Sequence, residues 1–167
     1  IDSYALYTNE NIYFDKATVQ ATSSKAQNNS RAILAGAGKK ITATDCKIDA
    51  VSDAGAYSLP IWCSELAITD TDITANGGTA TDESYGISAA TYTQNGGTVK
   101  VKGGDAANWS IGLWSNNAQV LGGTLIATVG AANGTNAITS SPTFGTFKTT
   151  VSAGQDEESA VKIAAPD

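Results

Sequence analysis

The sequence predicts an all-β chain wound as a parallel β-helix, a solenoid of about six coils of about 26 residues with three short strands per coil. Three observations carry that reading: an apolar anchor that recurs at a near-constant interval, alternation of apolar and polar residues around it, and turn-forming residues at matching corners. The anchors are Val19, Ile48, Ile73, Val99, Leu125 and Val151, separated by 29, 25, 26, 26 and 26 residues. Two positions later stand Ala21, Ala50, Ala75, Val101, Ala127 and Ala153, and between each pair lie Gln20, Asp49, Thr74, Lys100, Ile126 and Ser152. A period of two belongs to a strand with one face inward. Its repetition in register belongs to a solenoid. An amphipathic helix would need a period of 3.6, and the Thr, Val and Gly content disfavours helix. An antiparallel sandwich has no reason to repeat matching side chains at one fixed interval.

The other strands of the coil follow from the same columns. Seven residues before each anchor are Ile12, Ile41, Leu66, Tyr92, Ala118 and Phe144; five before are Phe14, Ala43, Ile68, Gln94, Val120 and Thr146. The corners between this strand and the anchor strand read Asp45-Cys46, Asp70-Thr71, Gly96-Gly97 and Gly122-Gly123. Gly and Asp accept turn conformations at little steric cost. A third strand is marked by Leu6, Ile33, Leu59, Ile87, Ile111, Ile138 and Val161. Segments of unequal length, 22–30, 76–84, 102–108 and 129–135, link the anchor strand to it and absorb the drift in period.

The stretches Ser84-Tyr85-Gly86-Ile87 and Asn95-Gly96-Gly97-Thr98-Val99-Lys100-Val101 together resemble the repeats of right-handed parallel β-helix modules in large secreted or cell-wall-attached bacterial proteins. The resemblance covers nearly the whole chain, best from 66 to 130. It implies right-handed winding, which the rule for parallel crossovers also favours, and an extracellular or cell-surface location. It implies no activity, because the same coil serves adhesins, scaffolds and polysaccharide-degrading enzymes.

Residues 1–167 read as a single β-helix domain. The chain opens on Tyr4-Ala5-Leu6 and closes on Val161-Lys162-Ile163, both in third strands, with no evident polar cap at either end, and it has no Met. The expectation is a stretch of a longer protein, with further domains of the same parent chain as its neighbours. Ten Lys plus Arg against 16 Asp plus Glu give a net charge of −6. That balance excludes nucleic acid as a partner, since phosphate recognition needs a basic footprint. No apolar run is long enough to insert directly into a membrane. The absence of His removes imidazole acid–base chemistry and His-ligated metal, and no cofactor is expected.

Two candidate sites remain. Tyr57, Trp62, Tyr85, Trp109 and Trp114 flank the third-strand column and recur from coil to coil. Tyr and Trp present flat apolar faces with a polar handle, as a pyranose ring requires; an internal aromatic ladder is the alternative. Asp45, Asp70 and Asp72 gather at one corner of neighbouring coils, with Asp45 and Asp70 roughly 5 Å apart. Such a cluster could hold calcium or act as a carboxylate pair; turn aspartates on a wet corner are the alternative. Cys46 and Cys63 fall at different corners and are expected to be unbonded. The expected function is a non-catalytic extracellular structural or adhesive module, a rigid solenoid with weak carbohydrate binding and with glycans or host and cell-surface components as partners. The runner-up is a partial polysaccharide lyase or hydrolase built on the three aspartates.

Overall fold

The computed structural model describes residues 1–139, 143–144 and 161–164; these are all-β, with no helix, and coils about 26 residues apart stack into a parallel β-solenoid of about five turns. Strands β1 (Ser3–Thr8), β2 (Ile12–Asp15) and β3 (Thr18–Thr22) form one coil, and β4 (Asn29–Ala35), β5 (Lys40–Thr44) and β6 (Lys47–Val51) the next. The third comprises β7 (Gly55–Ser58), β8 (Ile61–Thr69) and β9 (Asp72–Asn76). In the fourth, one extended element, β10 (Ala80–Lys102), runs through all three faces; β11 (Trp109–Trp114) and β12 (Asn117–Thr128) make the fifth. Three short strands follow: β13 (Gly134–Ile138), β14 (Thr143–Phe144) and β15 (Val161–Ala164).

The anchor column holds as read. Val19, Ile48, Ile73, Val99 and Leu125 pair successively, as do Ile12, Ile41, Leu66, Tyr92 and Ala118. The inner members form one continuous core with Ala50, Ala75, Val101 and Ala127. Volume is balanced between coils: Tyr92, the largest fully buried side chain, stacks on Ala118. Its hydroxyl donates to Gln94 Oε1 at 2.8 Å, and Gln94 Nε2 donates to the carbonyls of Gly97 and Thr124 at 3.2 and 3.1 Å. A buried amide is tolerated here because its donors and acceptor are engaged.

The corner between second and third faces fixes residue type through backbone conformation. Lys16, Asp45, Asp70 and Gly96 take φ values of 49°, 50°, 45° and 96°. Asp adopts this left-handed region more readily than most residues, and glycine adopts it freely. One step on, Ala17, Cys46, Thr71 and Gly97 stack as small residues, linked by Lys47 N–H to Ala17 O and Asp72 N–H to Cys46 O, both at 2.9 Å. A Cβ on Gly97 would stand 2.2 Å from the Thr71 carbonyl oxygen.

A buried serine ladder closes the opposite corner. Ser30, Ser58, Ser84 and Ser110 pair in line. Ser58 Oγ donates to Asp53 O at 3.0 Å and accepts from Gly78 N–H at 2.8 Å; Ser84 Oγ donates to Gly78 O and accepts from Gly104 N–H, both at 2.8 Å. Ser30 accepts from Asp53 N–H and Ser110 from Gly130 N–H. Ser30, which also donates to Ser24 O, Ser58 and Ser84 therefore each tie their own linker to the linker of the next coil.

That ladder corrects the third-strand column. Leu6, Ile33, Ile61, Ile87, Leu113 and Ile138 are the residues that pair, so Leu59 and Ile111 each stand two positions early. Both coils offer apolar residues at alternate positions, Leu59/Ile61 and Ile111/Leu113, and a shift of two preserves the facing of a strand. Phe144 likewise pairs with Val120, whereas the column reading matched it to Ala118. Val161–Ala164 is antiparallel to β12, with Ile163 opposite Leu125 and Val161 opposite Ala127, and not a parallel third strand. A Val-x-Ile pattern reads the same in both directions, so its columns carry no polarity. The sixth anchor, Val151, lies outside the described residues.

Ile73→Ala should cost roughly 2–5 kcal/mol through the lost methylenes and the cavity left behind. Ser84→Ala should cost about 1–3 kcal/mol by orphaning the Gly104 N–H and Gly78 carbonyl, while Thr74→Ala on the outer face should change stability by less than about 0.5 kcal/mol. Urea unfolding of the three variants checks that order; equal losses at positions 73 and 74 would contradict the facing.

Candidate functional site

The first face carries the site because its alternation breaks. Ser30 is buried, Arg31 partly exposed, and then Ala32, Ile33, Leu34 and Ala35 are all buried. The columns on either side of this break approach each other: Arg31 lies over the Trp62 ring, its guanidinium carbon 5.2 Å from the ring centroid. A groove of about 470 Å³ forms there, lined by Arg31, Tyr57, Trp62, Glu83, Tyr85 and Trp114, with Leu59 and Ser88 among its other contacts.

Four of the five expected aromatics thus meet in one groove. Trp109 does not; it lines a neighbouring hollow of about 320 Å³ with Glu83, Asn108, Asn133 and Gly134. The corrected register explains the split. Asn29, Tyr57, Glu83, Trp109 and Gly134 form one column, whereas Tyr85 follows Leu59 and precedes Ile111 in another. Leu34, Trp62, Ser88 and Trp114 form a third. Tyr57 and Trp109 are therefore two coils apart, as are Trp62 and Trp114, roughly 10 Å in each case. The single aromatic ladder that was the alternative does not form, and these five side chains are partly or largely exposed.

Polar groups are interleaved with the rings. Tyr85 donates its hydroxyl to Glu83. Burial, then that hydrogen bond, pushes its phenol pKa well up. Tyr57 is held by Asp82, whose hydrogen bond raises the phenol and lowers the carboxyl, and Asn108 Nδ2 donates to Asp82 Oδ1 at 2.6 Å. Arg31 Nη2 donates to Asn29 Oδ1 at 3.0 Å. Arg31 is a residue that sequence reasoning missed, because a period of two does not show that its column and that of Trp62 come into contact.

At the far corner Asp45 and Asp70 occupy equivalent positions in adjacent coils, with Asp45 N–H donating to Thr69 O and Asp70 N–H to Asn95 O. Asp72 lies beyond them, its Oδ1 accepting from Thr98 N–H at 2.8 Å and its strand position paired with Lys47. Among the described residues no three His, Cys, Asp or Glu side chains are grouped to hold a metal ion. The left-handed backbone accounts for the two turn aspartates without a ligand.

Cys46 and Cys63 are both buried and free, as expected from their separate corners. Cys46 Sγ donates to Thr44 O at 3.0 Å and accepts from Ala17 N–H at 3.4 Å. Cys63, on the inner side of the groove strand, has its thiol pushed up to about 12 by burial. Comparison with protein-family models, curated proteins and solved structures finds no match to this chain.

The raised groups fix the sign of the alkaline response. Cys63, Tyr85 and Tyr92 all hold their protons above the ordinary values of 9.0 and 10.0. The unfolded chain releases those protons first, so the stabilisation is complete below about pH 8.5 and declines as pH rises toward the folded values. Thermal melts should therefore fall between pH 9 and about 12. Native alkylation at neutral pH should leave Cys63 unlabelled, and unfolding without reductant should label both cysteines; a linked 46–63 peptide would contradict the corner placement.

Proposed function

We propose that the chain is a non-catalytic structural or adhesive module, a rigid stretch of right-handed solenoid that works outside the cell or on its surface and makes weak contacts with glycans. The observation that carries this reading is the first-face groove, where Tyr57, Trp62, Tyr85 and Trp114 stand among Arg31, Glu83 and Ser88. Sugar rings are bound through apolar faces and hydroxyls together, and the groove offers stacking surfaces and hydrogen-bonding groups side by side. Trp62 and Trp114 stand two coils apart in one column with Ser88 between them, about 10 Å along the axis, a separation that suits an extended glycan stacked on both rings.

The resemblance of the repeats to modules of large bacterial surface proteins supports the location and the spacer role. A stack whose coils pair along their whole length resists bending, so it transmits the position of whatever lies beyond it. The partners that fit are glycans and cell-surface components. The acidic balance, 16 carboxylates against 10 basic residues, disfavours nucleic acid.

A glycan array followed by tryptophan-fluorescence titration tests the reading. Binding should be near millimolar, about −4 kcal/mol, because a shallow groove recovers little of the cost of association. Trp62→Ala and Trp114→Ala should each weaken it by up to about tenfold, the loss of one stacked ring. Absence of binding to every glycan would reduce the role to a spacer. Calcium-dependent polysaccharide cleavage abolished by Asp70→Asn would overturn the non-catalytic reading.

A further inference from the structure

We infer that the sugar taken by this groove is acidic, a uronic or comparable ring whose carboxylate pairs with Arg31. The inference rests on the glycan reading above and names its substrate class. Arg31 is the sole arginine of the chain. Its guanidinium is held against the Trp62 ring, 5.2 Å from the centroid, and one nitrogen, Nη2, is engaged by Asn29. Its Nε is buried and has no hydrogen-bond partner. The ion pairs among the described residues join Lys39 to Glu10 and Lys40 to Glu65, and neither involves Arg31.

A buried donor on a charged group is costly to leave without an acceptor. Asn29 supplies one neutral oxygen, and the carboxylate that lines the groove, Glu83, accepts from the Tyr85 hydroxyl and makes no ion pair with Arg31. Nε itself has no solvent exposure and lies out of a ligand's reach, so the group that suits the outer edge of the guanidinium, Nη1 and Nη2, is a carboxylate. It matches the planar fork with two parallel hydrogen bonds, and the charge-assisted pair is roughly twice as strong as a neutral one. The contact with the Trp62 ring holds the guanidinium at the groove. A sugar carboxylate accepted by Arg31 leaves its ring beside Tyr85 and the two tryptophans that line the same groove. A neutral sugar would offer the arginine only hydroxyl oxygens, and would leave the preference to the aromatic faces.

The test uses the full chain and a panel of uronate-containing oligosaccharides, each paired with its carboxyl-reduced neutral counterpart, titrated by tryptophan fluorescence at low and high salt. The acidic member of at least one pair should bind about tenfold or more tightly than its neutral partner, as expected for one charge-assisted contact. That advantage should shrink as salt rises. Arg31→Gln should abolish it, and Arg31→Lys should retain part of it, since the charge stays and the fork is lost. Equal binding of acidic and neutral members overturns the acid preference while the glycan reading stands. An acid preference that survives Arg31→Gln overturns the role of Arg31, and binding of no member overturns both readings. Circular dichroism verifies that the variants fold; if Arg31→Gln does not, the acid–neutral comparison and its salt dependence in the unaltered chain still decide.

Discussion

Backbone hydrogen bonding between successive coils is the constraint on which the rest of the molecule depends. Every strand of an inner coil both donates to and accepts from each of its two neighbours, and buried peptide groups leave no alternative. The ladder sets the coil spacing near 4.8 Å, and it holds each side chain above the equivalent residue of the coil before. Side-chain chemistry is then decided by column. Inside, Ile48, Ile73, Val99 and Leu125 stack as like on like, and a large residue such as Tyr92 is matched by a small one, Ala118, on the next coil.

Outside, the same spacing forces charges to be arranged by sign. Stacked neighbours stand close enough for like charges to repel, and the outer columns alternate accordingly. Lys40 pairs with Glu65 on the second face, and Lys47 with Asp72 on the third. Asp45 above Asp70 is the exception, at an exposed corner where left-handed backbone restricts the choice of residue. The groove obeys the rule too, because Arg31, Leu59 and Tyr85 succeed one another in a single column without a second charge. A side chain with charge and no stacked carboxylate is left to interact sideways with Trp62, and that sideways contact is what gives the groove its character.

Most of the fold was legible because a solenoid repeats its own evidence. The anchor strand, the strand before it and the Asp/Gly corner each recur often enough to be read without a structure. What escaped did so for local physical reasons. Leu59/Ile61 and Ile111/Leu113 each offer two apolar residues on one strand face, so periodicity could not choose between them. The serine ladder could have chosen, since Ser30, Ser58, Ser84 and Ser110 recur at 28, 26 and 26 residues, but a small polar residue looks like a surface residue until its hydrogen bonds are seen. The direction of Val161–Ala164 was hidden by its symmetric pattern. At the candidate site the residue types were legible and their grouping was not. Tyr57, Trp62, Tyr85 and Trp114 line one groove across a stretch where the alternation of burial breaks, as at residues 32–35, and a period of two does not mark such a break.

If the coil is the structural unit, one whole coil can be removed without loss of register. Deleting residues 61–86 joins Pro60 to Ile87, and Ile87 is the residue that pairs with Ile61 in the intact stack. Circular dichroism and thermal melting of that variant, beside one lacking half a coil at residues 61–73, test the point directly. The whole-coil deletion should retain a β-sheet spectrum and a cooperative melt, and the half-coil deletion should lose both. An unfolded or aggregated whole-coil variant, or two deletions that behave alike, would contradict a molecule built on in-register coils.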